Sequence, residues 1–226
     1  MSSKLPAYTV KRSKRKTLSI YIERDGNVSV LAPEQNTDAE IETIVTQKSY
    51  QIYKHLAERD ELNATKTQRE IANGESFLYL GRNYRLQLVK DQEVPLKLKD
   101  GHFYLLKTLK DEAQKVFKTF YREKALPRIS SRVEHYKGQM GVAPGTIRIM
   151  ELHNRWASCS RNGDLNFHWK CLMAPLTVLD YIIVHEMAHL KYENHSEAFW
   201  NEVDKIIPDY RERKSWLRFN GAGMDL

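Results

Sequence analysis

The five residues from His185 to His189, which read HEMAH, constrain this chain more than any other stretch. Two histidines at this spacing on an α-helix lie on the same face, so both imidazoles can reach one metal ion. Glu186 lies too close to the first histidine to complete that chelate, but it can hold a water at the metal and accept its proton. The stretch therefore predicts a buried helix, beginning near Pro175, that carries two metal ligands and a general base.

A third protein ligand is expected, because catalytic zinc normally takes three and leaves one position open for water. His195 can supply it if the chain turns back after the helix, and Ser196 can then cap a second helix with an apolar face. A carboxylate of that second helix, from Glu197 or Glu202, is the rival third ligand. Glu193 is better suited to solvent, or to a hydrogen bond with a ligand histidine, than to the metal itself.

The charge balance is moderately basic, since 36 Lys and Arg against 29 Asp and Glu give a net charge of +7. Part of that excess lies in the basic cluster Lys11–Lys16, just before an alternating apolar run. Such a cluster could meet nucleic acid, a membrane surface or an acidic substrate. A solvated strand edge protected by lysines is the commoner explanation, and the nucleic-acid interpretation stays open beside it.

The first residues contain no apolar core typical of a signal peptide, and no run of about 18 apolar residues predicts a membrane span. Cys159 and Cys171 are too few for a disulfide framework. The sequence therefore predicts a soluble, cytoplasmic protein with no membrane partner. Cys159 could act as a thiolate that holds zinc inactive, but a small buried thiol is the simpler interpretation.

The organisation of the chain changes near residue 107, and the pattern predicts an α+β fold. Residues 1–107 predict a strand-rich module with one long helix, opened by a capping box from Thr37 to Glu40. Residues 108–226 predict a long helix that Pro127 kinks or restarts, then short strands and the HEMAH helix, packed against an antiparallel or mixed sheet. The predicted strands lie at 17–22, 28–31, 77–80, 84–89, 95–98, 102–106, 146–150, 155–160 and 165–169, with a turn at 25–27.

Several segments carry a specific pattern: Arg155–Ser160 (RWASCS), Leu165–Trp169, Val184–Leu190, Asn194–Trp200, and, in the front half, Val10–Lys16 and Gly81–Tyr84. Together they resemble the YgjP-like metallopeptidase domain family, which is related to the SprT and WLM groups of zincin-type metallopeptidases. The resemblance implies that residues 108–226 form a small zincin-like catalytic domain. It also implies zinc held by His185, His189 and His195, with Glu186 as general base.

Metzincins share this histidine spacing but place Gly where this chain has Tyr192. They also follow with a Met-containing turn, for which Met224 is a poor candidate. The chain therefore resembles a relative with the same chelate geometry rather than a metzincin.

The hairpin Arg155–Trp169 precedes the HEMAH helix directly. In zincins the edge strand lines the cleft and pairs with an extended peptide, and we assign this hairpin that role as a hypothesis; packing of the core alone would explain it equally well. The candidate substrate-binding residues are Arg155, Trp156, Ser158, His168 and Tyr192. Three of them, Arg155, His168 and Tyr192, are also candidate donors to the oxyanion of a tetrahedral intermediate.

The leading functional hypothesis is a zinc-dependent peptidase acting on peptides or unfolded protein. A metal-dependent nucleoside triphosphate pyrophosphohydrolase is the first alternative, although no glycine-rich phosphate cradle or carboxylate cluster for magnesium is evident. A non-enzymatic zinc module that binds nucleic acid through Lys11–Lys16 is the second. An intact Glu186 argues against that module, because structural zinc sites are closed and need no base.

Overall fold

The computed structural model describes residues 7–22, 27–63, 69–152 and 155–226 and, of residues 58–63, the backbone only. This part of the chain forms ten strands and five α-helices, in agreement with the predicted α+β class. The turn predicted from Asp25 begins outside the described residues. The strands are β1 (Tyr8–Ser13), β2 (Ser19–Ile22), β3 (Val28–Pro33), β4 (Ser76–Tyr79), β5 (Arg82–Val89), β6 (Leu96–Lys99), β7 (His102–Leu106), β8 (Ile147–Met150), β9 (Ala157–Cys159) and β10 (Leu165–His168). The helices are α1 (Asp38–Asn63), α2 (Ala113–Met140), α3 (Leu176–Ala188), α4 (Glu197–Ile206) and α5 (Tyr210–Asn220).

The first of two compact units, residues 1–65, contains β1, β2, β3 and α1. β3 is the central strand, parallel to β1 and antiparallel to β2. The predicted capping box opens α1: the Glu40 N–H donates to the Thr37 hydroxyl at 3.3 Å, and the Thr37 N–H donates to the Glu40 carboxylate at 2.9 Å. The apolar faces of β3 and α1 bury Val28, Val30, Ala32, Ile41, Val45 and Ile52.

The basic cluster begins on β1, an edge strand of this sheet. Lys11 and Arg12 are both exposed there, as a strand edge protected by cations requires. Arg12 pairs with Asp38 at the start of α1 at 2.6 Å. This placement favours the strand-edge interpretation, and nucleic-acid binding remains a prediction.

The second compact unit, residues 66–226, contains two sheets in the orders β4-β5-β7-β6 and β8-β10-β9. Both sheets are mixed. β5 runs parallel to β7, and β8 runs parallel to β10, while the other neighbouring pairs are antiparallel. The β4-β5-β7-β6 sheet and α2 share one core, in which Phe77 stacks on Phe117 with ring centroids 4.5 Å apart. The predicted division between residues 107 and 108 therefore falls inside this unit.

The turn between β4 and β5 docks on the segment that leads into α3. Leu80 and Gly81 donate their N–H groups to the carbonyls of Leu172 and Met173 at 2.7 and 3.0 Å. Gly81 has φ of +77°, and a Cβ there would lie 2.7 Å from Cγ and 2.8 Å from Cα of Pro175. A glycine is needed here for both its conformation and its small size.

We expect Gly81→Ala to lower the free energy of unfolding by about 2 kcal/mol or more, because the backbone of Pro175 must move. The matched control is Gly101→Ala, since Gly101 has φ of +78° but a Cβ added there would meet nothing within 4 Å. That control carries only the conformational cost, about 1 kcal/mol. Urea unfolding of the two variants measures the difference, and equal losses would show that the contact with Pro175 is unimportant.

α3 is fixed on α2 by an ion pair and by its own apolar surface. The guanidinium of Arg132 on α2 binds both carboxylate oxygens of Asp180 on α3, with Nε–Oδ1 at 2.6 Å and Nη2–Oδ2 at 2.7 Å. Asp180 is only 6% exposed, so this bidentate pair satisfies an otherwise costly buried charge. α2 itself continues through Pro127 without a restart. In the described part of the chain no helix combines the length and apolarity needed to cross a membrane.

Candidate metal centre

The C-terminal end of α3 carries the HEMAH run. Every residue from Val178 to Val184 is buried, so the helix is held on all sides by the core. His185 and His189 emerge at its last turn, where His189 forms the C-cap. Because the two histidines are one turn apart, their rings lie side by side, with centroids 5.2 Å apart.

His195 joins this pair from the segment between α3 and α4. Its Nε2 lies 3.0 Å from the Nε2 of His185, and its ring centroid lies 4.9 Å from that of His189. One ligand atom from each of the three histidines falls within 4.8 Å of the other two. Ligands of a tetrahedral zinc ion lie roughly 3.3 Å apart, so the spacing suits one ion.

The protonation states of these histidines also fit a cation. Burial and the neighbouring imidazoles lower the pKa of His185 to about 3, and burial also lowers the pKa of His195. Both rings are therefore neutral near pH 7 and have a lone pair to offer. His189 is oriented by a hydrogen bond from its Nδ1–H to the Tyr192 carbonyl at 3.0 Å, which leaves Nε2 as the ligand atom.

The buried Nδ1 of His185 has no hydrogen-bond partner among the described residues. Two neutral Nε2 atoms at 3.0 Å would also repel each other unless a proton or a cation lay between them. The donor set thus fits a bound divalent ion such as zinc, which prefers imidazole ligands.

The segment that carries His195 is fixed by the start of α4. The Ser196 hydroxyl accepts a hydrogen bond from the Phe199 N–H at 3.4 Å, which confirms the predicted N-cap. The two rival carboxylates lie outside the three-histidine group. Glu197 is exposed in the first turn of α4, and Glu202 accepts a hydrogen bond from Lys191 at 2.7 Å.

Glu186 lies beside this group and is only 8% exposed. Burial raises the pKa of Glu186 to about 7, while a hydrogen bond from the Cys159 backbone N–H and the nearby charge of Arg155 act in the opposite direction. A cation held by the histidines would favour the ionised carboxylate further. A carboxylate in this setting can accept a proton from water near neutral pH.

The hydrogen bond to Glu186 comes from the outer side of β9, the edge strand of the β8-β10-β9 sheet. Two hydrogen bonds cross the hairpin to the β10 side. The Trp156 carbonyl accepts from the His168 N–H at 2.7 Å, and the Ser160 N–H donates to the Asp164 carbonyl at 2.8 Å. Along an antiparallel strand, the N–H and C=O groups of successive residues point alternately toward and away from the neighbouring strand. The N–H and C=O groups of Ala157 and Cys159 therefore point away from β10. The edge of β9 therefore faces α3 and the histidines.

A cleft of about 1120 Å³ runs along this edge and includes the three histidines and Glu186. Arg155, Trp156 and Ser158, three of the five predicted substrate-binding residues, line it. His168 is instead buried at the end of β10, where its Nδ1 accepts the Lys170 N–H at 3.0 Å. Tyr192 contributes its carbonyl to His189, as described above, and its side chain is not among those that line the cleft.

Cys159 is half-buried in the cleft wall, and burial raises the pKa of its thiol. Its sulfur does not belong to the three-histidine group. A protonated thiol of this kind fits the simpler of the two interpretations of this residue.

Tyr181 and Leu217 are among the residues of the cleft lining that the sequence did not predict. Tyr181 precedes His185 by one helical turn, and its ring centroid lies 5.8 Å from that of the histidine. That spacing alone could have identified it. Leu217 comes from α5, and no local pattern links it to the HEMAH helix.

The aromatic stack behind His195 is formed by Trp200 and Tyr210. The Trp200 ring lies nearly parallel to the His195 imidazole, with centroids 5.6 Å apart and planes 22° apart. Tyr210, which is buried, stacks on Trp200 at 5.2 Å and 15°. His195 itself is exposed and lies outside any helix or strand, so its ring is oriented by this stack together with Phe199, whose ring centroid lies 4.8 Å away.

We expect Trp200→Leu to weaken zinc binding by about tenfold, the low end of the range for residues that orient a metal ligand. Trp200→Phe keeps a flat ring and should lose less. Competition with a fluorescent zinc chelator measures the affinity under conditions where the apoprotein is folded. Trp216→Leu, at a half-buried tryptophan on α5, is the control for a general packing defect. An unchanged zinc affinity in Trp200→Leu would show that Trp200 does not orient His195 for metal binding.

An α+β fold that presents an HExxH helix and a third histidine to one cleft is typical of metallopeptidases. The chain belongs to the YgjP-like metallopeptidase domain family, whose model matches residues 16–220. Among solved structures it is similar to a metallopeptidase zymogen of Pyrococcus abyssi, abylysin. The two are 32% identical over 38% of this chain and 89% of the other, with a TM-score of 0.37. No curated protein matches the chain.

Proposed function

We propose that this protein is a zinc-dependent peptidase in which His185, His189 and His195 hold the ion and Glu186 is the general base. The observation that carries the proposal is the convergence of three imidazoles beside a buried carboxylate, in a cleft bordered by a strand edge. The family to which the chain belongs supports peptide-bond hydrolysis as the reaction class.

Zinc bound by three histidines would act as a Lewis acid, which acidifies a water molecule and polarises a carbonyl group. Glu186 would accept the proton of the attacking water and later transfer it to the nitrogen of the leaving amine. Its hydrogen bond from the Cys159 N–H fixes the carboxylate while leaving other lone pairs available for the proton.

The edge of β9 would bind the substrate as an added strand. The backbone groups of Ala157 point away from β10 and are placed to pair with an extended peptide. Glu186 occupies the N–H of Cys159, so the reacting bond would lie beside that residue. Arg155, in the cleft wall and close enough to influence Glu186, is our candidate donor to the oxyanion.

The test is hydrolysis of unstructured, casein-like peptides by zinc-loaded protein, by chelated protein and by chelated protein to which zinc is returned. We expect activity in the first and third samples only. Nucleoside triphosphates and duplex DNA are measured in parallel. Triphosphate turnover without peptide cleavage would favour the pyrophosphohydrolase alternative. DNA binding that is unaffected by chelator, with no turnover of any substrate, would favour the nucleic-acid module.

A further inference from the structure

The turn between β9 and β10 is a rigid part of the cleft wall. Ser160 closes it by accepting the Gly163 N–H on its carbonyl at 2.9 Å and the Asp164 N–H on its hydroxyl at 3.0 Å. The Asp164 carboxylate in turn accepts from the Thr146 N–H at 2.8 Å and from Arg148 at 2.7 Å. The conformation of the turn is therefore set by the sheet and does not depend on a ligand.

Arg161 is presented by this turn to the cleft, where its side chain is exposed. Among the described residues it forms no ion pair. Two other cations line the cleft: Lys191 is paired with Glu202 at 2.7 Å, and Arg155 lies close enough to Glu186 to influence it. Glu193 is an exposed carboxylate of the same lining. Within the described part of the chain, Arg161 is thus an exposed cation on a fixed turn, and no carboxylate is paired with it.

The place of Arg161 just beyond the end of β9 can be related to the reacting bond. The Glu186 carboxylate lies at the Cys159 N–H, and Arg161 follows Cys159 by two residues, in the turn after β9, so the two Cα atoms are at most about 7 Å apart. A peptide that pairs antiparallel to β9, the slightly more stable arrangement, passes Arg161 before it reaches Cys159. The peptide side chains nearest to Arg161 therefore belong to the amino-terminal side of the scissile bond.

We propose that Arg161 selects peptides with an acidic side chain two or three residues on the amino-terminal side of the cleaved bond. The inference rests on the proposed peptidase function and assigns its substrate class. A carboxylate at that position gains the attraction of the guanidinium, whereas a lysine meets a like charge.

Binding to the zinc-loaded Glu186→Gln variant tests this selection without turnover. The probes are fluorescent peptides of one sequence that carry Asp, Ala or Lys at the position in question. We expect Asp to bind about fivefold more tightly than Lys at low salt, as for an exposed ion pair, and the difference to shrink at high salt. Arg161→Gln should abolish the preference, and Arg161→Glu should reverse it. Arg128→Glu, a charge reversal at an exposed site on α2 outside the cleft lining, should leave it unchanged.

Equal binding of the Asp and Lys peptides would overturn the inference, and so would a preference for acid on the carboxyl-terminal side only. Cleavage of the same peptides by the zinc-loaded wild-type protein separates the two proposals. Cleavage without a charge preference would remove the role of Arg161 and leave the peptidase function standing. A charge preference in binding with no cleavage of any peptide would support the role of Arg161 and count against the peptidase function.

Discussion

Replacement of Glu186 by Gln should lower kcat/KM for peptide hydrolysis by a factor between about 10² and 10⁴, the usual contribution of a general base. Glutamine keeps the size of the side chain and can still accept the Cys159 N–H, so the cleft should stay intact. It cannot accept the proton of the attacking water. The measurement is steady-state hydrolysis of a fluorogenic peptide by zinc-loaded wild-type and variant proteins, with zinc content determined for both.

Glu193→Gln is the matched control, because Glu193 is a carboxylate of the same cleft but is exposed. It should change kcat/KM by no more than a few fold. Zinc content should be the same in all three proteins, which would separate loss of the base from loss of the metal. Peptide cleavage that survives in Glu186→Gln would contradict the mechanism, and a loss of zinc in that variant would make Glu186 a ligand.

The parts of the site that the sequence predicted are those governed by helix geometry. The HEMAH run lies at the end of α3 because the apolar residues before it are buried on every side. The caps at Thr37 and Ser196 form as predicted because each depends on atoms only three residues apart. Local chemistry of this kind is independent of the rest of the fold.

The parts that were missed depend on contacts between distant segments. The predicted division after residue 107 follows a change in pattern, but the stacked rings of Phe77 and Phe117 place both sides of it in one core. The basic cluster was interpreted as a strand edge, but no bounds were predicted for β1. This strand pairs in parallel with β3, and parallel pairing has no turn to reveal it. The secondary-structure propensities of single residues cannot reveal contacts between segments that are far apart in the sequence.

The candidate substrate residues show the same division. Arg155, Trp156 and Ser158 lie in the cleft because they flank or form a strand beside α3, as the order of segments suggested. His168 belongs to the neighbouring strand β10, where it is 2% exposed. Its residue type suggested a role that its position in the sheet does not provide.

Replacement of His195 by Ala should weaken zinc binding by at least about a hundredfold, because a ligand contributes more than the residues that orient it. His195 is exposed, so the apoprotein should unfold at nearly the same temperature as the wild type. The stabilisation that excess zinc gives to the folded state should fall by about 2.7 kcal/mol, which corresponds to a hundredfold change in affinity. Metal analysis after dialysis and thermal unfolding with and without zinc measure both effects.

The rival ligands provide the controls for this prediction. Glu197→Ala and Glu202→Ala should retain zinc, because neither carboxylate lies in the three-histidine group. Glu202→Ala breaks the ion pair with Lys191, so any loss of stability there should be the same with and without zinc. Full zinc occupancy in His195→Ala, together with loss of zinc in Glu197→Ala or Glu202→Ala, would show that the third ligand is a carboxylate of α4. Loss of zinc in His195→Ala alone, with an apoprotein of unchanged stability, is the result expected if His195 is the third ligand.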